Sequence, residues 1–336
     1  MNHNLIKNIL LDIGNAVCDR VHNSVKTQST ISLSAIHNEH FDDTIYVIDK
    51  DVEDILIPML DHWAGELDGI VLIAEGIGEK GLEYLLPAGI KPQDAKLKFI
   101  IDPIDGTRGI MYDKRSAFFL AGVALNKPSN TLQDIEVAVM TELPTSKAMF
   151  SDSFSAIKGM GVEGVRRNLL TQHQIPKLAT PSKSKTIKGG FAQLSRFFPP
   201  GRDILAKIED ELIMTLFPND WVGKAILFED QYISSGGQLF EMLCGHDRFI
   251  GDVRTALYSM LAKQGIQGGH ACHPYDVCCH LIGVEAGLII TDIYGTPLNY
   301  PLDTSTSVDW LGFANKAIYN EVFPLLQTLL KKHGLI

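Results

Sequence analysis

Apolar positions along the 336-residue chain fall into two patterns. Near the N-terminus Leu5, Ile6, Ile9, Leu10, Ile13, Val17 and Val21 recur at helical spacing, which predicts an amphipathic helix over 4–22. IYVI (45–48) reads as a short strand, and DILIPMLDHW (54–63) as a second helix that Pro58 kinks or begins. GIVLIA (69–74) and the run Leu97, Phe99, Ile100, Ile101 are continuous and short, the mark of buried strands. Between them, 76–96 is punctuated by Gly and Pro and predicts a loop or lid. SAFFLAGVAL (116–125), DIEVAVMTEL (134–143) and KAMF (147–150) predict successive strands, so the first half combines helices with an antiparallel sheet.

From about 171 to 203, Pro, Ser, Lys and Gly accumulate, which marks a connector. A boundary near Ser182 divides the chain into an α+β domain (1–182) and an α/β domain (183–336). In the second, helices are expected over 202–217, 236–244, 254–263, 275–286 and 316–332, with strands at 225–228, in FIGDV (249–253) and at 287–292.

Hydrophobic content of 45% and charged content of 21% describe a globular protein with ample core. A net charge of −10 argues against nucleic acid as a general partner, which needs surplus Lys and Arg. No apolar run approaches a membrane span, and the first twenty residues lack a secretory layout. Five cysteines are an odd number and argue against a disulfide framework, so the cytoplasm is the expected compartment.

The chemistry concentrates where the 97–101 run ends, in Asp102-Pro103-Ile104-Asp105-Gly106-Thr107. Pro103 ends ladder pairing, Gly106 admits a close approach to the main chain, and Thr107 is a competent helix N-cap. Two acids on such a turn, followed by bare amides, suit hard cations beside a phosphate.

DPIDGT resembles the central signature of the inositol monophosphatase superfamily, the lithium-sensitive, magnesium-dependent phosphomonoesterases. Further segments extend the resemblance over most of the chain. Glu75 stands where the family has the first residue of a Glu-Glu pair, with Gly76 in place of the second and Glu79 the nearest acid to reach back. Asp276, in His-Pro-Tyr-Asp-Val-Cys-Cys-His, falls at the family's last metal-ligating aspartate. Tyr275 replaces its Trp, Cys278 and Cys279 its alanines, and His280 its Gly. Asp49, four residues ahead of Glu53, matches the family's first aspartate.

The resemblance implies the layered αβαβα sandwich of the inositol monophosphatase and fructose-1,6-bisphosphatase type, binding two or three Mg²⁺ ions. It implies that Glu75, Asp102 and the Ile104 carbonyl hold one ion, and Asp102, Asp105 and Asp276 another. Thr107, Glu75 and Asp49 would orient the attacking water, and the Gly106 and Thr107 amides would cradle the phosphate. Ser234-Ser235-Gly236-Gly237-Gln238 resembles the segment that touches the alcohol, so Asp105, Gln238 and Arg108 are the expected substrate contacts. The stretch 249–273, with Arg254 and Lys263, exceeds the usual spacing and is expected to reshape the pocket. A small phosphorylated substrate, no membrane and a homodimer complete the family's implications. Inositol and sugar monophosphates, fructose 1,6-bisphosphate and 3′-phosphoadenosine 5′-phosphate stand as substrate classes.

Two readings from other classes remain open at this level. His270, Cys272, His273, Cys278, Cys279 and His280 crowd together and carry zinc-ligand chemistry. A non-catalytic phosphate-binding or regulatory module on the same fold is the other.

Overall fold

The computed structural model describes residues 1–39, 44–77 and 83–336, with the backbone alone at 36–39, 44–47, 49 and 51. In chain order the elements begin with α1 (His3–Thr27), α2 (Thr30–Leu33), β1 (Ile36–Glu39), β2 (Thr44–Tyr46) and α3 (Val47–Ala64). Then come β3 (Ile70–Ala74), β4 (Tyr84–Leu86), β5 (Leu97–Asp105), α4 (Thr107–Met111), β6 (Ala117–Leu125) and β7 (Ile135–Leu143). β8 (Phe150–Ile157), β9 (Val162–Asn168), β10 (Gln174–Pro176), β11 (Phe191–Leu194) and α5 (Arg202–Leu216) follow. The chain closes with α6 (Ser235–Leu243), β12 (Asp247–Asp252), α7 (Arg254–Ala262), α8 (His280–Glu285), β13 (Ile289–Thr291), β14 (Trp310–Phe313) and α9 (Lys316–Lys332).

Two sheets separate three helical layers, giving the αβαβα sandwich. The larger sheet runs β10-β9-β8-β7-β6-β5-β3-β4, the smaller β11-β12-β14-β13. Along β5 and β6 alternate side chains enter different cores, as the pleat demands. Phe99, Ile101 and Phe119 meet Ile6, Leu10 and Ile13 of α1 and Leu56 of α3. Ile100, Phe118 and Leu120 face the middle layer, Leu239 and Phe240 of α6 and Ile282 of α8. The smaller sheet turns Phe249 and Phe313 outward onto Leu205 of α5, Leu257 of α7 and Leu326 of α9. Burying each such side chain contributes roughly 1.5–3 kcal/mol. α1 lies so close to its sheet at Gly14 that a Cβ there would stand 2.5 Å from Thr141 Oγ1.

Several expectations need correcting. Residues 45–48 are split, because the α3 helix begins at Val47. Residues 147–149 form a turn, and the strand starts at Phe150. The stretch taken as a connector contains β10 and β11, and β8 and β9 precede it. β8 and β9 hide in the sequence because many of their buried positions are polar: Asp152 receives Arg166 through two bonds of 2.7 Å, and Ser151 and Arg167 are also buried. The strand at 225–228 is reduced to a single bridge from Phe228 to Phe191. The helix at 275–286 is broken into a 3₁₀ turn at Tyr275–Val277 and α8. Among the described residues, no helix is long and apolar enough to cross a membrane.

α9 matches its expected bounds, and its start is fixed by Asn315. That side chain accepts from the Ala317 (2.9 Å) and Ile318 (3.2 Å) amides and donates to the Ser182 and Ser184 carbonyls, both at 2.8 Å. Asn315→Ala loses all four bonds, so a destabilisation of about 2 kcal/mol, the top of the N-cap range, is expected in urea unfolding.

A candidate metal centre at the ends of two parallel strands

β3 and β5 form a parallel pair in a sheet whose other neighbours are antiparallel. Their register sets Ala74 beside Ile101, and the Glu75 amide still donates to the Ile101 carbonyl at 3.2 Å. Glu75 and Asp102 therefore stand side by side at the ends of this parallel pairing. Asp102 is 1% exposed, and its carboxyl is pushed well above the usual carboxylate range by burial first. The charges of Glu75, Asp105 and Asp276 and a hydrogen bond with Glu75 push the same way.

After Asp102 the β5–β6 register slips, as Pro103 requires, and Asp105 is the next paired position. Asp102 Oδ1 accepts from the Ile104 amide at 3.1 Å, which ties the turn to its first acid. Asp105 Oδ2 accepts from Ser234 Oγ at 2.8 Å and from the Gly236 amide at 2.5 Å, at the start of α6. Those bonds favour the charged form, yet burial outweighs them and lifts Asp105 to about 6. Gly106 takes φ +95°, and a Cβ there would sit 3.0 Å from Ser234 Cβ, so the turn fits only glycine. Thr107 Oγ1 donates to the Ile104 carbonyl at 2.8 Å, leaving that oxygen its second lone pair.

Asp276 arrives on the 3₁₀ turn that interrupts the expected helix. Its Oδ2 accepts from the His273 amide at 2.5 Å, and Tyr275 stacks on the His273 ring at 5.2 Å. Carboxylate oxygens of Asp102, Asp105 and Asp276 all lie within 4.8 Å of one another. Acids packed this closely repel unless protons or a cation intervene. A donor set made of oxygen alone, buried at Asp102 and Asp105 and partly buried at Asp276, with every pKa raised, fits a hard divalent cation.

The structure thus gathers Glu75, Asp102, Asp105 and Asp276, with Ile104, Gly106 and Thr107 on the connecting turn. Gln238 is fully buried on α6, and its Nε2 donates to Ser195 Oγ at 2.9 Å. Arg108 is exposed on α4. Asp49 has its backbone in α3, while its side chain, and Glu79 altogether, lie outside the described residues. Gly76 takes φ +68°, a conformation costly for the Glu the family has there.

Two features were not anticipated. Ser234 and Gly236, in the segment that resembles the one touching the alcohol, hold Asp105. Arg254 and Asp252 form a buried bidentate pair, with Nε to Oδ1 at 2.8 Å and Nη2 to Oδ2 at 2.5 Å. Arg254 Nη1 donates to the His270 carbonyl at 2.9 Å, and its guanidinium lies 4.9 Å from the Phe197 ring centroid and 5.5 Å from that of Phe198. Its charge opposes the upward shifts of Asp105 and Asp276. The sequence signal was an acid and a base two residues apart at the end of the FIGDV strand.

The Cys/His cluster has another character. Cys278 and Cys279 lie in the apolar middle core, where burial raises both thiols well above their ordinary values. His280, buried beside the Val277 carbonyl at 3.2 Å, is lowered to about 4 and stays neutral. Among the described residues the three aspartates are the group arranged to hold a metal.

No family model matches the chain, and no curated protein matches it in sequence. Solved structures do match in shape. An inositol monophosphatase (IMPase) of Thermotoga maritima aligns over 96% of this chain and 99% of its own, with a TM-score of 0.58 at 15% identity. Inositol monophosphatase from Anabaena (Nostoc) sp. aligns over 99% and 97%, with a TM-score of 0.60 at 14% identity. Leishmania major fructose-1,6-bisphosphatase aligns over 96% and 94%, with a TM-score of 0.66 at 15% identity. From end to end, the chain has the layered fold of the inositol monophosphatase and fructose-1,6-bisphosphatase proteins.

Proposed function

We propose that the protein is a Mg²⁺-dependent phosphomonoesterase that hydrolyses a small phosphorylated alcohol of the inositol or sugar phosphate class. The observation that carries this reading is the convergence of Asp102, Asp105 and Asp276, from positions 174 residues apart, to within 4.8 Å. The names borne by the structural neighbours point the same way. A non-catalytic module has no need of so many mutually repelling acids.

Glu75, Asp102, Asp105, Asp276 and the Ile104 carbonyl would hold the magnesium ions. When bound, these neutralise phosphate charge and make water nucleophilic at neutral pH. The remaining roles belong to the chain. Glu75, hydrogen-bonded with Asp102, would accept a proton from the attacking water. The Thr107 hydroxyl gives its proton to Ile104, and its oxygen would accept a bond from that water and orient it. The Gly106 and Thr107 amides, at the turn where glycine alone fits, would bind phosphate oxygens. Ser234 and Gly236 keep Asp105 fixed while charge shifts onto the departing oxygen.

A phosphate-release screen over sugar, inositol and nucleotide phosphates tests the reading. Turnover is expected with magnesium and is expected to stop on chelation. Absence of release from every compound at millimolar magnesium would overturn it.

A further inference from the structure

Asp105 is held by the first turn of α6, and that turn is itself held. The Ser234 hydroxyl accepts from the Gly237 amide at 2.8 Å, so its single proton goes to Asp105 Oδ2, also at 2.8 Å. Two glycines permit the close approach. A Cβ at Gly236 would stand 2.8 Å from Asp105 Oδ2, and one at Gly237 would stand 2.6 Å from the Tyr232 ring. The buried Tyr232 is therefore pressed against the turn that fixes Asp105.

Arg115, between α4 and β6, grips the same segment. Its guanidinium lies 4.0 Å from the Tyr232 ring centroid. Nη1 donates to Asp230 Oδ2 at 2.6 Å, and Nη2 stands 3.7 Å from Glu241 Oε1 on α6. The next residue adds a bond, since the Tyr232 hydroxyl donates to the Ser116 carbonyl at 2.6 Å. Asp230 is also clipped to β11: its amide donates to Gln193 Oε1 at 2.8 Å, and its carbonyl accepts from Gln193 Nε2 at 2.6 Å. The peptide 230–234 thus ties the smaller sheet to the start of β6, where Phe118 pairs with Asp105. Arg115 and Asp230 are 39% and 43% exposed, and a pair that open contributes little to stability. What the arrangement supplies is orientation, carried by measured contacts from Arg115 through Tyr232, Gly237 and Ser234 to Asp105.

We propose that Arg115 is a positioning residue for the metal centre: by fixing Asp230 and Tyr232 it keeps Ser234 and Gly236 set to orient Asp105, and the affinity for a divalent cation depends on it. The inference rests on the metal-dependent phosphatase reading above. Isothermal titration of the full-length protein with magnesium alone tests it without any substrate. Arg115→Gln should raise the dissociation constant about tenfold, the low end of what losing an outer partner costs a metal site. The melting temperature of the metal-free variant should fall by no more than about 3 °C. Arg115→Lys should recover part of the affinity, because it keeps the charge beside Asp230 and loses the flat face over Tyr232. In a Ser234→Ala background Arg115→Gln should change the affinity little, since the group it acts through is gone. Equal losses in both backgrounds, or a lower melting temperature with unchanged affinity, would overturn the inference. If Arg115→Gln does not fold, Asp230→Asn, which removes one anchor only, is expected to weaken binding in the same direction, and unchanged affinity there overturns the inference too. An unaltered protein that binds no magnesium would bring down the metal-centre reading and this inference together, whereas binding indifferent to Arg115 brings down this inference alone.

Discussion

Asp102→Asn is expected to lower magnesium-dependent phosphate release by a factor on the order of 10³ while raising the melting temperature of the metal-free protein. Both outcomes come from one cause. Asp102 is buried against Glu75, Asp105 and Asp276, so its charge is unfavourable until a cation is present. An amide is isosteric, still accepts from the Ile104 amide, and can donate to Glu75 without a shared proton. The sign follows from the direction of the shift. An acid whose folded pKa is raised stays protonated in the native state after the unfolded chain, at about 3.9, has released its proton. Metal-free stability therefore falls as pH climbs from about 4 through the folded values, which for Asp105 is about 6. Calorimetry should show the metal-free protein melting several degrees higher at pH 5 than at pH 8, with magnesium or Asp102→Asn removing most of that gap. Near-normal turnover in Asp102→Asn, or an unchanged melting temperature, would sink the assignment of Asp102 as the shared ligand.

The second large effect lies outside the aspartate trio. Arg254→Met is expected to cost about 3–5 kcal/mol in urea unfolding, because Asp252, 0% exposed, would be left as an uncompensated buried charge. Adding Asp252→Leu should recover most of the loss, since an apolar pair removes the stranded charge. Metal binding would report the local consequence. Arg254 anchors the His270 carbonyl, and His273, three residues on, orients Asp276. The double variant should stay folded yet bind magnesium less tightly, as isothermal titration can measure.

How much of this was legible in the chain follows from what each element buries. β3, β5 and β6 are apolar on both faces, and α9 carries a single stripe, so their positions could be read directly. β8 and β9 could not, because their interior is built from Ser151, Asp152, Ser153, Ser155 and Arg167, which look like surface until paired. The turn carrying Asp102 and Asp105 announced itself through Pro103 and Gly106, residues that act on the backbone locally. Gln238 illustrates the opposite limit. Its polar character is legible in the sequence, but its bond to Ser195 in the interior is visible only in the fold. Asp252 and Arg254 satisfy each other, and a pair closed on itself leaves little trace in a pattern of apolar spacing.

The parallel alignment of β3 with β5 has one more consequence. The separation between Glu75 and Asp102 is a property of a hydrogen-bonded ladder, about 4.8 Å per strand, and not of the covalent path that joins them. Insertions and deletions in that path outside β4, which pairs with β3, leave the two acids where they are. Changes in the joining segment can therefore accumulate among descendants of this chain while Glu75 and Asp102 keep their spacing.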